Sequence, residues 1–225
     1  MASQKRPRPR TKLRRMPERA VNDREPINEI LDEAVVSHLG IVDDSGFPVV
    51  IPTTHARIGD DLYIHGSAAS RTLKRAAKSE ICLTVTLLDG LILARSALNH
   101  DVTYRSVVVF GEPELLRGPE AKREALHAFT EKLVPGRWDE VREPTDRELK
   151  MTAVMRMPLD EVSAKVRTGG PKDVDEDYEL PVWAGVVGLH MTAGAPEPDD
   201  RLLPDVECPA HVTALDTHGA RWRGR

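Results

Sequence analysis

The segment Tyr63-Ile-His-Gly-Ser-Ala-Ala-Ser-Arg-Thr-Leu-Lys74 carries the residue types that hold a phosphate. A β-prone run ends in a small, hydroxyl-rich loop, and a short helix over residues 70–77 then opens on Ser70, Arg71, Thr72 and Lys74. The start of a helix exposes unpaired backbone N–H groups and a partial positive charge. Cations there oppose the helix dipole, so Arg71 and Lys74 make better sense beside a dianion. Arg71 would clasp it with two N–H groups and Lys74 would meet it as a point charge. The plain alternative is a serine-capped surface helix with solvated bases, and spacing alone leaves the two even.

The histidines say less. His65 lies in that loop, and His55, two residues past Thr53, would approach it from an opposing strand. His100, in Asn99-His-Asp-Val-Thr-Tyr-Arg-Ser106, is crowded by polar side chains and is the better candidate for moving a proton. No H-E-x-x-H or Cys/His cluster provides a metal site, and Cys82 and Cys208 form neither a metal-spaced pair nor a disulfide framework. That cysteine usage suits a reducing cytoplasm. The chain lacks a G-x-S-x-G elbow, a Walker loop and a G-x-G-x-x-G run, so hydrolase, nucleoside-triphosphatase and Rossmann readings lose their main support.

The elements that must position these residues are mostly strands. Pro26 opens a helix whose Ile27, Ile30, Leu31, Ala34 and Val35 share a face. Runs 39–42 and 48–53 flank Asp43-Asp44-Ser45-Gly46 as a hairpin, and Gly59-Asp60-Asp61 turns into 62–65. Runs 81–88 and 91–94 read as a second hairpin across Asp89-Gly90. A long strand covers 103–116, helices cover 119–133 and a stretch after Pro144, and strand returns over 151–166 with Pro158 marking an edge or bulge. Strands pairing with sequence neighbours favour a mainly β (α+β) antiparallel barrel over a doubly wound parallel sheet.

With 225 residues, one domain is the expected count, and no apolar run approaches a membrane span. The net charge of −4 conceals a basic arm: residues 1–25 hold nine Lys/Arg, Lys5, Arg6 and Arg8 among them, against three acids. Nucleic-acid binding is one reading of that arm, and a solvated, disordered leader is the other. Only nine aromatic residues are present, which supplies base stacking poorly. The organisation expected is therefore a disordered arm over 1–24, a domain over 25–195, and a loosely held, proline-rich tail over 196–225.

Four stretches occur in order: Pro48-Val-Val-Ile-Pro52-Thr, Leu62-Tyr-Ile-His-Gly-Ser-Ala-Ala-Ser-Arg71, Tyr104-Arg-Ser-Val-Val-Val-Phe-Gly111 and Leu180-Pro-Val-Trp-Ala-Gly-Val-Val187. Together they resemble the FMN-binding split-barrel proteins related to pyridoxamine 5′-phosphate oxidase, in the flavin-nucleotide-binding branch that includes the nitroimidazole-resistance proteins. The resemblance implies a six-stranded antiparallel split β-barrel with a few flanking helices, forming a homodimer with two FMN sites at its interface. It implies that Val50, Ile51, Pro52 and Thr53 lie along the isoalloxazine ring and that His65, Gly66 and Ser67 edge the ribityl chain. Ser70, Arg71, Thr72 and Lys74 would hold the phosphate. Tyr104, Arg105 and Ser106 would begin a strand near the flavin, and Trp183 would reach it from the second subunit.

Two departures bear on the reaction. The oxidases proper carry Ser-Arg-Lys, whereas Thr72 follows Ser70-Arg71 here and the lysine is delayed to Lys74. Their C-terminal Arg and His pattern has no clear counterpart, with His211 and Arg221 in the tail. Both point away from pyridoxamine phosphate and toward an FMN-binding flavoprotein: an FMN-dependent oxidoreductase with another small-molecule substrate, or a protein that binds flavin without turnover. In such an enzyme the hydride chemistry belongs to the cofactor, and a proton relay would fall to His55 or His100. The same fold also admits haem or deazaflavin, and the arm admits a nucleic-acid partner.

Overall fold

The computed structural model describes residues 9–215. Its strands are β1 (Ala20–Val21), β2 (Val36–Val42), β3 (Pro48–Ile58), β4 (Asp61–Ser67), β5 (Ile81–Leu93), β6 (Asp101–Gly111), β7 (Glu114–Leu115), β8 (Thr152–Pro158), β9 (Glu161–Arg167) and β10 (Gly185–Gly188). The helices are α1 (Arg24–Glu33), α2 (Arg71–Ala76), α3 (Pro119–Leu133), α4 (Asp146–Met151) and α5 (Ala210–Thr213). All ten strands join one antiparallel sheet in the order β1-β9-β6-β5-β2-β3-β4-β8-β7, with β10 added against β5. The fold is mainly β with few helices. The ten strands replace the six of the expected barrel, and β1, β7 and β10 are short additions of two to four residues.

Burial alternates along the strands, as a sheet with one covered face requires. Leu39 and Ile41 of β2, Leu62 and Ile64 of β4, Leu83 and Val85 of β5, and Val107 and Val109 of β6 turn inward to Leu31 of α1 and to Met155 and Met157 of β8. Their neighbours Val36, Val42 and Val50 turn outward and stay exposed. The β2–β3 hairpin closes where Asp43 Oδ1 accepts the backbone N–H groups of Ser45 and Phe47, and Gly46 takes the positive φ of 85° that this turn needs. α3 begins on Pro119 and α4 on a reciprocal cap between Thr145 and Glu148.

Three expectations change. Asp89-Gly90 is a bulge inside β5, because the strand runs on without turning and its register against β6 skips from Leu88/Tyr104 to Gly90/Thr103. The strand expected over 151–166 divides after Pro158, and its two parts pair with different neighbours, β8 with β4 and β9 with β6. Part of the basic arm rests on the domain: β1 pairs with β9, and Arg10 bonds Glu161 and Glu80 while lying 5.0 Å from the Phe110 ring centre. Lys5, Arg6 and Arg8, like Arg221 at the other end, fall outside the described residues. Among the described residues no helix is long and apolar enough to cross a membrane.

Candidate functional site

The loop after β4 is fixed by its own hydroxyls. Ser67 Oγ accepts the N–H of Ala69, Ser67 O accepts the N–H of Ser70, and Ser70 Oγ caps α2 by accepting the N–H of Leu73. Ala68 N–H donates to Met151 O and ties the loop to the body of the domain. Gly66 packs closely on α2: a Cβ there would stand 2.8 Å from Leu73 Cδ1 and would make that side chain shift. Arg71 and Lys74 then project from α2 into solvent, and no ion pair engages either among the described residues. A cavity of about 370 Å³ lies between α2 and the β2–β3 hairpin, lined by Arg71, Thr72 and Arg75 on one side and by Asp43, Asp44 and Val49 on the other, with Arg75 Nε 3.5 Å from Asp44 Oδ1.

β3 supplies a second feature. Residues 48–54 pair with β2, whereas β4 pairs only from His55 onward. The edge of 48–54 away from β2 therefore has no strand partner among the described residues, and its backbone polar groups are open to a ligand. Val50 (65% exposed) and Pro52 face outward, Ile51 packs toward the core, and Thr53 is half-buried with its carbonyl accepting the Ser37 hydroxyl. Val49 and Arg71 line one cavity, so this half of β3 and the phosphate-type loop adjoin.

The remaining candidates lie elsewhere in the chain. Tyr104, Arg105 and Ser106 sit on β6, separated from β3 by β5 and β2. The Arg105 guanidinium donates to both carboxylate oxygens of Asp89 (2.9 and 2.8 Å) and of Glu33 (2.5 and 2.8 Å). These bonds raise its pKa beyond the ordinary arginine range. Ser106 Oγ reaches only toward Lys165 O at 3.5 Å, and Tyr104 is half-buried opposite Arg167. Trp183, 67% exposed, folds back over Gly185 at the start of β10.

The histidines separate as sharply. His55 is 1% exposed and walled in, which removes it from any substrate. Its partner across the β3–β4 ladder is Ile64, so His55 and His65 point to opposite faces. His55 Nε2 lies 2.8 Å from Leu31 O and 2.9 Å from Lys132 Nζ, and Lys132 Nζ lies 2.8 Å from the same carbonyl. Burial pushes the Lys132 amine down to about 7, and burial with the nearby lysine pushes His55 down to about 3. Lys132 stands at i+7 from Ala125 and i+3 from Phe129, on the buried stripe of α3, so its helical spacing is the signal that could have set it apart from a surface lysine. His65 packs edge-on against Phe129, with ring centres 4.4 Å apart, and burial lowers its pKa as well. His100 is exposed on a loop, its Nδ1 3.0 Å from Ser96 O.

The model of the pyridoxamine 5′-phosphate oxidase family matches residues 23–166. Among solved structures, the flavocytochrome Anf3 from Azotobacter vinelandii is 42% identical, with 91% of this chain and 95% of that one covered and a TM-score of 0.87. The FAD and heme binding protein from Mycobacterium smegmatis is 34% identical, with coverages of 91% and 99% and a TM-score of 0.85. A candidate 5-nitroimidazole antibiotic resistance protein from Bacteroides thetaiotaomicron shares the fold at 22% identity, covering 65% of this chain and 86% of its own, with a TM-score of 0.57. No curated protein sequence matches the chain. With a family match over more than half its length, and two structures alike over nearly all of it, this chain belongs to the pyridoxamine 5′-phosphate oxidase family.

Proposed function

We propose that the protein is a flavin- and haem-binding redox protein acting as a homodimer, and that its flavin is FAD. The observation that carries this reading is the extent of the two strongest likenesses. Both cover 91% of the chain, a span that must reach outside the 23–166 common to the family, and their names specify a flavocytochrome and a protein binding FAD and haem. The wider family resemblance alone implies FMN, which shares the phosphate-bearing ribityl chain.

The residues present fit a flavin phosphate. Among the described residues Arg71 and Lys74 form no ion pair, although Asp43 and Asp44 line the same cavity and Asp44 pairs with Arg75; Thr72 adds a hydroxyl, and the open edge of 48–54 offers N–H and C=O groups to a ring. The flavin, when bound, supplies the electron transfer, and the protein orients and tunes it. A histidine that ligates haem iron has its second ring nitrogen held by a carbonyl, carboxylate or water. His100, with Nδ1 near a backbone carbonyl, leaves Nε2 open, and burial lowers the His65 pKa, which favours its neutral ring.

A dimer is favoured by the separation of the site within one chain. Val50 and Arg71 sit at one place, Tyr104 lies on β6 beyond β2 and β5, and Trp183 stands ahead of β10 over Gly185, while the outward face bearing Val36, Val42 and Val50 is apolar and uncovered. A two-fold partner would cover that face and bring such distant residues to Val50 and Arg71. The test is a mass spectrum and visible spectrum of what co-purifies with the full chain, with sedimentation. FAD, a haem Soret band and a dimer are expected; a colourless protein or a monomer with bound cofactor overturns the reading. Loss of the Soret band in His100→Ala or His65→Ala identifies the iron ligand.

A further inference from the structure

We propose that Arg105 is a positioning residue: it seats the C-terminal strand β10, and with it Trp183, by clamping the bulge at Asp89-Gly90, and it does not itself contact a cofactor. The consequence for the flavin rests on the function proposed above; the clamp does not.

The guanidinium has five N–H donors in a fixed plane, and bonds to four carboxylate oxygens occupy most of them. Little remains for a phosphate or a ring carbonyl. The two carboxylates come from different elements. Glu33 ends α1, and Asp89 is the residue that the β5–β6 register skips. Arg105 therefore joins the end of one helix to the irregular point of a neighbouring strand.

That irregular point is where β10 lands. Asp89 O accepts the N–H of Leu189 at 3.0 Å, and Val187 and Gly188 pair with Leu91 and Gly90. A Cβ on Gly90 would stand 2.8 Å from Val187 O and 2.9 Å from Thr103 Oγ1, so β10 rests directly on backbone. The side chain of Asp89 is held by Arg105 while its carbonyl holds β10. Without the guanidinium, Asp89 and Glu33 each lose two bonds, and the tie between the bulge and the end of α1 is broken. The bulge, and the seat for β10, would relax with it.

The experiment is amide hydrogen exchange on the full-length protein, comparing wild type with Arg105→Met, Arg105→Lys and Asp89→Asn, alongside the visible spectrum of each purified protein. Exchange should rise about tenfold or more over 185–189 in Arg105→Met and Asp89→Asn, while the amides of β3, β4 and β8 keep their native rates. Arg105→Lys, which keeps the charge but cannot bridge both carboxylates bidentately, should fall between. The flavin bands should shift with the loosening of β10. Unchanged exchange over 185–189 in both Arg105→Met and Asp89→Asn overturns the clamp. Flavin lost from Arg105→Met with β10 exchange unaltered makes Arg105 a cofactor contact and also overturns it. If Arg105→Met does not fold, Asp89→Asn and Arg105→Lys decide alone. A wild type that carries no flavin defeats the proposed function but leaves the exchange measurement to judge the clamp.

Discussion

Two groups of basic residues have opposite fates in this molecule. At the start of α2, Arg71 and Lys74 are exposed and engage no carboxylate among the described residues. Around α1, Arg105 is saturated by Glu33 and Asp89, and Lys132 is buried against His55 and the Leu31 carbonyl. The first group is available to an anion from outside; the second is consumed inside the fold. A cation's role is set by whether the fold has already given it a partner, and a motif does not record that.

The buried group should show the largest effect, through pH. Lys132 ordinarily titrates at 10.5 but is lowered to about 7 by burial, so between these values the unfolded chain binds a proton that the folded one does not. Stability must then rise with pH across that window. A tenfold change in proton affinity is equivalent to about 1.4 kcal/mol, so the full rise is several kcal/mol. His55, lowered to about 3, acts with the same sign at lower pH, withdrawing stability as the pH falls below its ordinary value of 6.5. Urea unfolding of the wild type at pH 7, 8, 9 and 10 should show the rise, and Lys132→Met should flatten it. A wild-type curve already flat above pH 7 would show that the amine stays charged, and the contrast with Arg71 would lose its buried half.

The exposed group should respond through ligand affinity. Arg71→Ala is expected to weaken flavin binding ten- to a hundredfold, because a charge-assisted contact contributes about 1.5–3 kcal/mol. Its unfolding midpoint should stay close to that of the wild type. An unchanged affinity in a titration of the folded variant moves the phosphate away from α2. Gly90→Ala, beside the clamp, should cost about 1–3 kcal/mol of stability, as overpacking against a backbone carbonyl does, and denaturant unfolding reads it. The smallest effect belongs to Ser70→Ala. Loss of the α2 cap should cost about 1 kcal/mol and modestly weaken flavin binding by loosening the loop. If Ser70→Ala costs more affinity than Arg71→Ala, the loop's hydroxyls hold the phosphate and the guanidinium does not.

What the sequence determined by itself was local and periodic. Pro119 and an apolar face gave α3, Asp43-Asp44-Ser45-Gly46 gave the first hairpin, and Ser70 ahead of a basic turn gave the capped loop. Each depends on residues within a few positions of one another, so the chain carries the information without folding. The four ordered stretches likewise identified the family. What only the tertiary structure decided involves residues far apart in sequence. Asp89-Gly90 has the composition of a turn, and it became a bulge because Arg105, Thr103 and β10 meet it there. His55 and Lys132 look like ordinary polar residues of a strand and a helix, and they are buried together because α3 packs over β3 beside the end of α1. Spacing puts Lys132 on the buried stripe of α3 with Ala125 and Phe129, but neither its partners nor the bulge is written there, because desolvation and pairing are properties of the neighbours that a fold brings, and those neighbours come from across the chain.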